Sequence, residues 1–288
     1  MSTDSLLFLL ALSTFRLALP LMLTSVGGYF SEKSGVPQIG LEAFLLIGAF
    51  VAATTTYFSQ SLVIGYIAAG LAALILAQLF CWLVLKFRGN AIVIGTGLNL
   101  FVMGLIPLLS KSIFDSTGST PGLTGVENPL LIPILVLFSF LTLSFYLSEK
   151  TVWGLQMKFA GEKQHALAAV GVSAVTRQWQ SVSYGAFVTG LAGAILSTAL
   201  ASSYSPLMSA GRGYIALAAV IFAGWNLRKA VMISLFFGFC EAIQIQAQSN
   251  ATVSSLVPGE FIQMIPYLMT LLALVIFKTK QQAPKELK

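Results

Sequence analysis

A chain of 288 residues that is 57% hydrophobic and only 9% charged, with mean hydropathy +0.87, carries too much apolar surface for water to be its solvent. Soluble domains hold about 25% charged residues. The net charge of +6 is not gathered into the basic stripe that nucleic acid requires, and no G-x-x-x-x-G-K-[ST], G-x-S-x-G or H-E-x-x-H motif occurs, so no catalytic apparatus is visible.

The first ten residues, MSTDSLLFLL, lack a basic n-region and a small-residue cleavage site, and the expectation is a retained span. Apolar stretches of about 17–25 residues predict membrane spans. Nine appear, roughly Ser5–Gly27, Ile39–Phe58, Leu62–Leu85, Ala91–Leu109, Leu130–Leu147, Ser181–Ser203, Tyr214–Trp225, Ala230–Ala247 and Phe261–Phe277. The fold class expected is therefore all-α, a polytopic transmembrane helical bundle in one domain over residues 1–288. The seventh stretch is short. With SYSPLMSAGRG before it, it predicts a broken or re-entrant element near 204–225, which survives at membrane depth only against protein or a wet cavity.

Lysine and arginine set the orientation. With the N-terminus outside and the C-terminus inside, thirteen of the sixteen basic residues fall on the cytoplasmic side, and the inverted arrangement reverses the bias. Lys111 and Arg212 fall outside. Arg16 lies within the first span, from which it is expected to snorkel to the outer interface. The internal loop 149–180 is the longest, and Glu162–Val170 within it reads as a short surface helix bounded by Gly161 and Gly171. The external loop 111–129, rich in Gly, Ser and Thr, reads as irregular. Cys81 and Cys240 lie in apolar segments and read as packing residues, and the lone His165 has no companion for a metal.

An ionisable side chain inside a span marks a functional site by default. Glu42 is such a residue, announced by Pro37, Gln38 and Gly40, which suggest that the helix starts or breaks there. Freed backbone groups at a break could bind a polar solute; equally, Glu42 could lock the structure by pairing with a base or capping amides. Arg212 sits between Gly211 and Gly213, where it could organise carbonyls at a span entrance. Glu241, Gln244 and Gln248 share a helix face, and Asn99 lies in GTGLNLFVMG; these side chains suit hydrogen bonds between helices, or a solute pathway.

Taken in order, these segments resemble an ABC-transporter permease of the branched-chain amino acid and sugar permease superfamily, in the nucleoside and simple-sugar branch that works with basic-membrane-protein-type binding lipoproteins. The branch's ERSGVVNIGLEGMMLIGA reads here EKSGVPQIGLEAFLLIGA. GxALNLLALGL reads GTGLNLFVMGL, GLRLRAVGENPxAAxxAGI reads GLQMKFAGEKQHALAAVGV, TAGRGFIALAAVIFGxW reads SAGRGYIALAAVIFAGW, and EALQI…LPYLLTLLVL reads EAIQI…IPYLMTLLAL. The resemblance implies the membrane subunit of an ATP-driven importer in a bacterial inner or plasma membrane, with no cofactor of its own. ATP and Mg would be bound by separate cytoplasmic ATPase subunits, a second permease would complete a heterodimer, and an external lipoprotein would deliver substrate. The loop would hold the ATPase contact near Gly161, Glu162, Ala168 and Gly171. The substrate pathway would draw on Gln38, Gly40, Glu42, Asn99, Arg212, Glu241 and Gln244. Departures from the pattern at Pro37, Gln38 and Ala43 leave the substrate open among nucleosides, riboflavin and simple sugars. An ion-coupled secondary transporter, with Glu42 or Glu241 as its proton site, is the rival.

Overall fold

The computed structural model describes residues 3–123, 131–249, 259–264, 268–269 and 283–287, and among these there is no strand. Backbone groups in lipid must be satisfied within their own segment, and helices do this. Seven helices are long and apolar enough to cross a membrane. They are α1 (Thr3–Lys33), α2 (Leu41–Ser59), α3 (Leu62–Cys81), α4 (Ala91–Phe114), α5 (Leu131–Lys150), α8 (Ala174–Ile195) and α10 (Leu227–Ser249). Between α5 and α8 lie α6 (Val152–Glu162) and α7 (Gln164–Ala169), and α9 (Arg212–Phe222) precedes α10. These seven are the first six predicted spans and the eighth. The seventh is α9, whose 11 residues rise only about 16 Å, half the roughly 30 Å of a bilayer's hydrocarbon. The ninth, Phe261–Phe277, lies largely outside the described residues.

Local chemistry sets the boundaries. The Asn90 side chain accepts from the Ile92 and Val93 amides to start α4, Thr151 caps α6 through the Gly154 amide, and Ser173 caps α8 through the Thr176 amide. Gln60 ends α2 in the left-handed conformation at φ 52° and leaves one further residue before α3. Two segments that read as ordinary α-helix are π-helical, Trp82–Lys86 at the end of α3 and Leu196–Leu200 at the end of α8.

The core forms around α8, the most completely buried of the seven, which packs on α1, α2 and α3. Without a hydrophobic drive between helices in lipid, small residues let backbones meet. A Cβ on Gly190 would lie 2.6 Å from the Ala69 carbonyl oxygen and 2.6 Å from Ala73 Cβ, and one on Gly48 would lie 2.7 Å from Gly190 Cα. Gly190 is thus clamped between α2 and α3. Gly190→Ala is expected to lower thermal stability by about 1–3 kcal/mol, and Gly190→Leu to abolish folding. Size-exclusion profiles of the tagged protein in mild detergent, after graded heating, check both.

Long apolar side chains are exposed on the two least buried of the seven, Leu135 and Phe138 on α5 and Leu100, Phe101 and Leu108 on α4, as a helix that meets lipid requires.

Three expectations change. Gly161 is not a break: it lies in the last turn of α6, and the chain turns at Lys163 (φ −151°, ψ 76°) before α7. Gly171 does end the short helix, at φ 73° with its amide on the Ala168 carbonyl. Arg16 does not leave the protein for the interface. It is half-buried and donates to the Ala199 carbonyl at 3.3 Å, in the π-helical end of α8. A helix end leaves its last carbonyls without intrahelical donors, and the guanidinium supplies one. The loop expected over 111–129 is shorter than that, since Lys111 belongs to the last turn of α4. Thr120 and Leu123 donate backbone N–H bonds to the carbonyls of Tyr204 and Ser202, laying the loop on the segment after α8.

One end of the bundle gathers charge. Lys33 pairs with Glu162 at 2.8 Å and Arg228 with Glu149 at 2.6 Å. A polar cavity of about 430 Å³ lies between them, lined by Tyr29, Lys33, Glu149, Lys158, Glu162 and Asn226 among others. Burial pushes the Lys158 ammonium below its ordinary pKa.

Candidate functional site

The site begins with a physical difficulty. α9 starts within the helical bundle, largely buried, so its first N–H groups have no intrahelical acceptor and little access to water. Glu42 resolves this. It lies in the first turn of α2, is 2% exposed, and its carboxylate accepts from the Gly211 N–H at 3.0 Å, the Gly213 N–H at 2.8 Å and the Ser209 hydroxyl. The N-termini of α2 and α9 therefore converge on one buried anion. Each terminus carries about half a positive charge, so the carboxylate offsets both and receives three hydrogen bonds in exchange for its hydration. Gly213 is required by this approach: a Cβ there would lie 2.6 Å from the Glu42 amide nitrogen and 2.8 Å from its Cα. Gly211, at φ 79°, makes the turn into the helix.

Asn99 of α4 serves α2 in the same way. Its oxygen accepts from the Ala43 N–H at 2.9 Å, while its nitrogen donates to the Ile39 carbonyl at 3.0 Å and the Tyr214 hydroxyl at 2.8 Å. Gly95 and Gly40 let α4 approach: a Cβ on Gly95 would lie 3.0 Å from the Gly40 nitrogen. Arg212, in the first turn of α9, would oppose the helix dipole, and it is directed away, onto Glu241 of α10 and the Met208 carbonyl. Both members of the Arg212–Glu241 pair are mostly buried, with side chains 14% and 20% exposed.

The other end of α9 is also held by a carboxylate. Glu32, 3% exposed near the end of α1, accepts from the Trp225 indole N–H at 2.8 Å and from the Gln38 backbone N–H at 3.3 Å. Glu32 is joined to the charged end of the bundle through its neighbour Lys33, which puts Glu42 about 16 Å inward, the length of α9. Set against a hydrocarbon layer of about 30 Å, that distance would reach roughly halfway across.

The structure thus brings Gly40, Glu42, Asn99, Arg212 and Glu241 together around the start of α9. Gln244 lies one turn beyond Glu241, half-buried on α10. Gln38 is fully buried in the link between α1 and α2, and neither of its side-chain polar atoms has a hydrogen-bond partner. Of the loop residues, Ala168 and Gly171 are exposed on or just after α7. Gly161 is buried against the turn after α1, where a Cβ would overlap the Lys33 carbonyl. Sequence reasoning missed Glu32, Ser209, Tyr214 and Trp225. Among the described residues no group of His, Cys, Asp or Glu could hold a metal, and Cys81 and Cys240 are free and buried.

A half-length helix meeting a second helix N-terminus inside a bundle of seven membrane-length helices, with ionisable groups closed around the junction, marks a multi-pass membrane protein whose functional site is centred there. Comparison with known proteins narrows this. The chain belongs to the family described as branched-chain amino acid transport system / permease component, whose model matches residues 10–274. It is 29% identical to the nucleoside ABC transporter permease protein NupC of Lactococcus lactis subsp. cremoris, over 92% of this chain and 91% of that one. It is 28% identical to the guanosine ABC transporter permease protein NupQ of Bacillus subtilis, over 95% and 93%. It is 27% identical to the putative glucose ABC transporter permease protein TsgC13 of Haloferax volcanii, over 91% and 89%. No solved structure matches it. The chain is a permease of the plasma membrane.

Proposed function

We propose that this chain is the membrane subunit of an ATP-binding cassette importer for nucleosides, with ATP and Mg bound and hydrolysed on separate cytoplasmic subunits. The observation that carries the reading is near end-to-end similarity to permeases named for nucleoside and guanosine transport. A second permease, in a heterodimer, and an external binding lipoprotein complete the machine. The charged end of the bundle faces the cytoplasm, in keeping with the positive-inside bias. The exposed side of α7, with Ala168 and Gly171, presents to the ATPase, and Gly161 and Glu162 join that segment to α1. Glu42, Gly40, Asn99 and the Arg212–Glu241 pair shape the wall of the pathway by fixing where α9 begins, and Gln38 and Gln244 are its uncharged polar groups.

The test is purification of the chain, tagged at its C-terminus, from native membranes in mild detergent, followed by reconstitution of whatever complex it brings down. An ATPase subunit is expected, with guanosine uptake into proteoliposomes that requires ATP on the ATPase side. ATP-dependent uptake of riboflavin or ribose in place of guanosine would move the substrate and keep the mechanism. Guanosine uptake that ignores ATP and collapses with a protonophore would replace the importer with an ion-coupled transporter.

A further inference from the structure

The link between α1 and α2 touches both the segment assigned to the ATPase and the buried start of α9. At its first end, Gly161 of α6 lies backbone to backbone on Ser34 and Gly35: a Cβ on Gly161 would be 2.9 Å from the Gly35 nitrogen, and one on Gly35 would be 3.0 Å from Gly161 Cα. Gly35, at φ 92°, makes the turn that permits this. Gln178 of α8 donates to the Ser34 carbonyl at 3.1 Å, and the Lys33–Glu162 ion pair closes the same joint. At its far end, Asn99 holds the Ile39 carbonyl and Glu42 holds the start of α9. Glu32 and Glu42, which flank the link, grip opposite ends of α9. The link is therefore in direct contact with α6 at one end and with the residues that hold α9 at the other.

Gln38, in the middle, indicates a second arrangement. Its side chain is fully buried with both amide atoms unpartnered. Buried polar groups are nearly always satisfied, and one that is not requires an explanation. Its backbone N–H is held by Glu32 and its neighbour Ile39 by Asn99, which fixes the link where the side-chain amide meets no partner. A packed element with two discrete positions is what carries coupling between distant sites.

We propose that residues Ser34–Gly40 form a two-position strap, which carries displacement of the α6–α7 segment to α9, and that the Gln38 amide finds its hydrogen-bond partners in the second position. The assignment of α6–α7 as the driven end rests on the importer reading. The existence of two positions does not, and the test separates the two.

The measurement is hydrogen–deuterium exchange of the peptide covering Ser209–Tyr214, in the intact chain held in lipid nanodiscs without ATP or solute. Its Gly211 and Gly213 amides are capped by Glu42 in the observed position. Gln38→Met removes the unpartnered amide at similar volume, favours the observed position, and is expected to slow exchange by about tenfold. Gln38→Asn keeps an amide and is expected to restore exchange to the wild-type rate. Glu162→Gln loosens the half-exposed end of the joint without touching the core, and is expected to speed exchange. Exchange unchanged in both Gln38→Met and Glu162→Gln would show a strap with one position and overturn the proposal. Uptake by the reconstituted complex provides the second readout. Loss in Gln38→Met with recovery in Gln38→Asn places the strap in the transport cycle. Full uptake in Gln38→Met would remove the strap from that cycle and overturn the proposal's functional half, whichever solute is carried.

Discussion

Glu42→Ala is expected to release the start of α9 and to lower both stability and uptake. In the native protein three donors converge on the carboxylate: the Gly211 and Gly213 amides and the Ser209 hydroxyl. Hydrogen bonds to charged groups contribute about 1.5–3 kcal/mol each, and a buried donor left without an acceptor costs about 1–3 kcal/mol. The sum is not additive, because α9 will shift to recover some partners, and with three neutral donors left unsatisfied a loss of about 3–5 kcal/mol is the expected scale. Glu42→Gln distinguishes charge from shape. Its single amide oxygen faces three donors, and its NH₂ group is brought against N–H groups, so about half the stability loss of the alanine variant is expected and uptake falls further than assembly. Glu42→Asp keeps the charge one methylene shorter and is expected to be the mildest of the three. Thermal melts in detergent and uptake in proteoliposomes, run on the same preparations, give the order. A Glu42→Gln protein with wild-type melting would show that the junction of α2 and α9 needs no anion.

This role was half legible in the sequence. That Glu42 needs a partner follows from its place in an apolar run, and Gly211-Arg212-Gly213 announces a helix start. What joins them is a contact 169 residues apart in the chain, which no local pattern carries. The two facts could still have been combined: a helix starting inside lipid needs an acceptor, and few buried carboxylates are available to provide one. Glu32 was invisible for a different reason. Beside Lys33 at the end of a long helix it reads as an ordinary interfacial charge, yet it is buried against Trp225. The spans were legible because length and apolarity suffice in lipid. The π-helical ends of α3 and α8 were not, since WLVLK and LSTAL have nothing in composition to separate them from α-helix. Gly161 misled because glycine's two uses, breaking a helix and letting backbones touch, look alike until the neighbouring backbone is known.

The Arg212–Glu241 pair yields the second large effect, and it works by sign. Arg212 lies in the first turn of α9, where a cation is unfavourable next to a helix N-terminus, and its Nε has no acceptor. What keeps it is Glu241 on α10, so the pair joins the half-length helix to the neighbour that follows it. Removing one partner leaves the other as an uncompensated buried charge, which is expected to destabilise the protein by about 3–5 kcal/mol. Arg212→Met and Glu241→Met should therefore each lower the melting temperature and prevent uptake. The double variant, with both charges gone and apolar volume in their place, should recover most of the stability, because replacing a buried ion pair by packed apolar residues is often neutral. Uptake decides what the pair is for. Stability recovered together with uptake makes it a structural tie between α9 and α10. Stability recovered without uptake assigns the charges to the transport cycle itself, as groups that must separate and re-form when α9 moves. Double-variant losses equal to the sum of the single losses would show that the two side chains do not depend on one another.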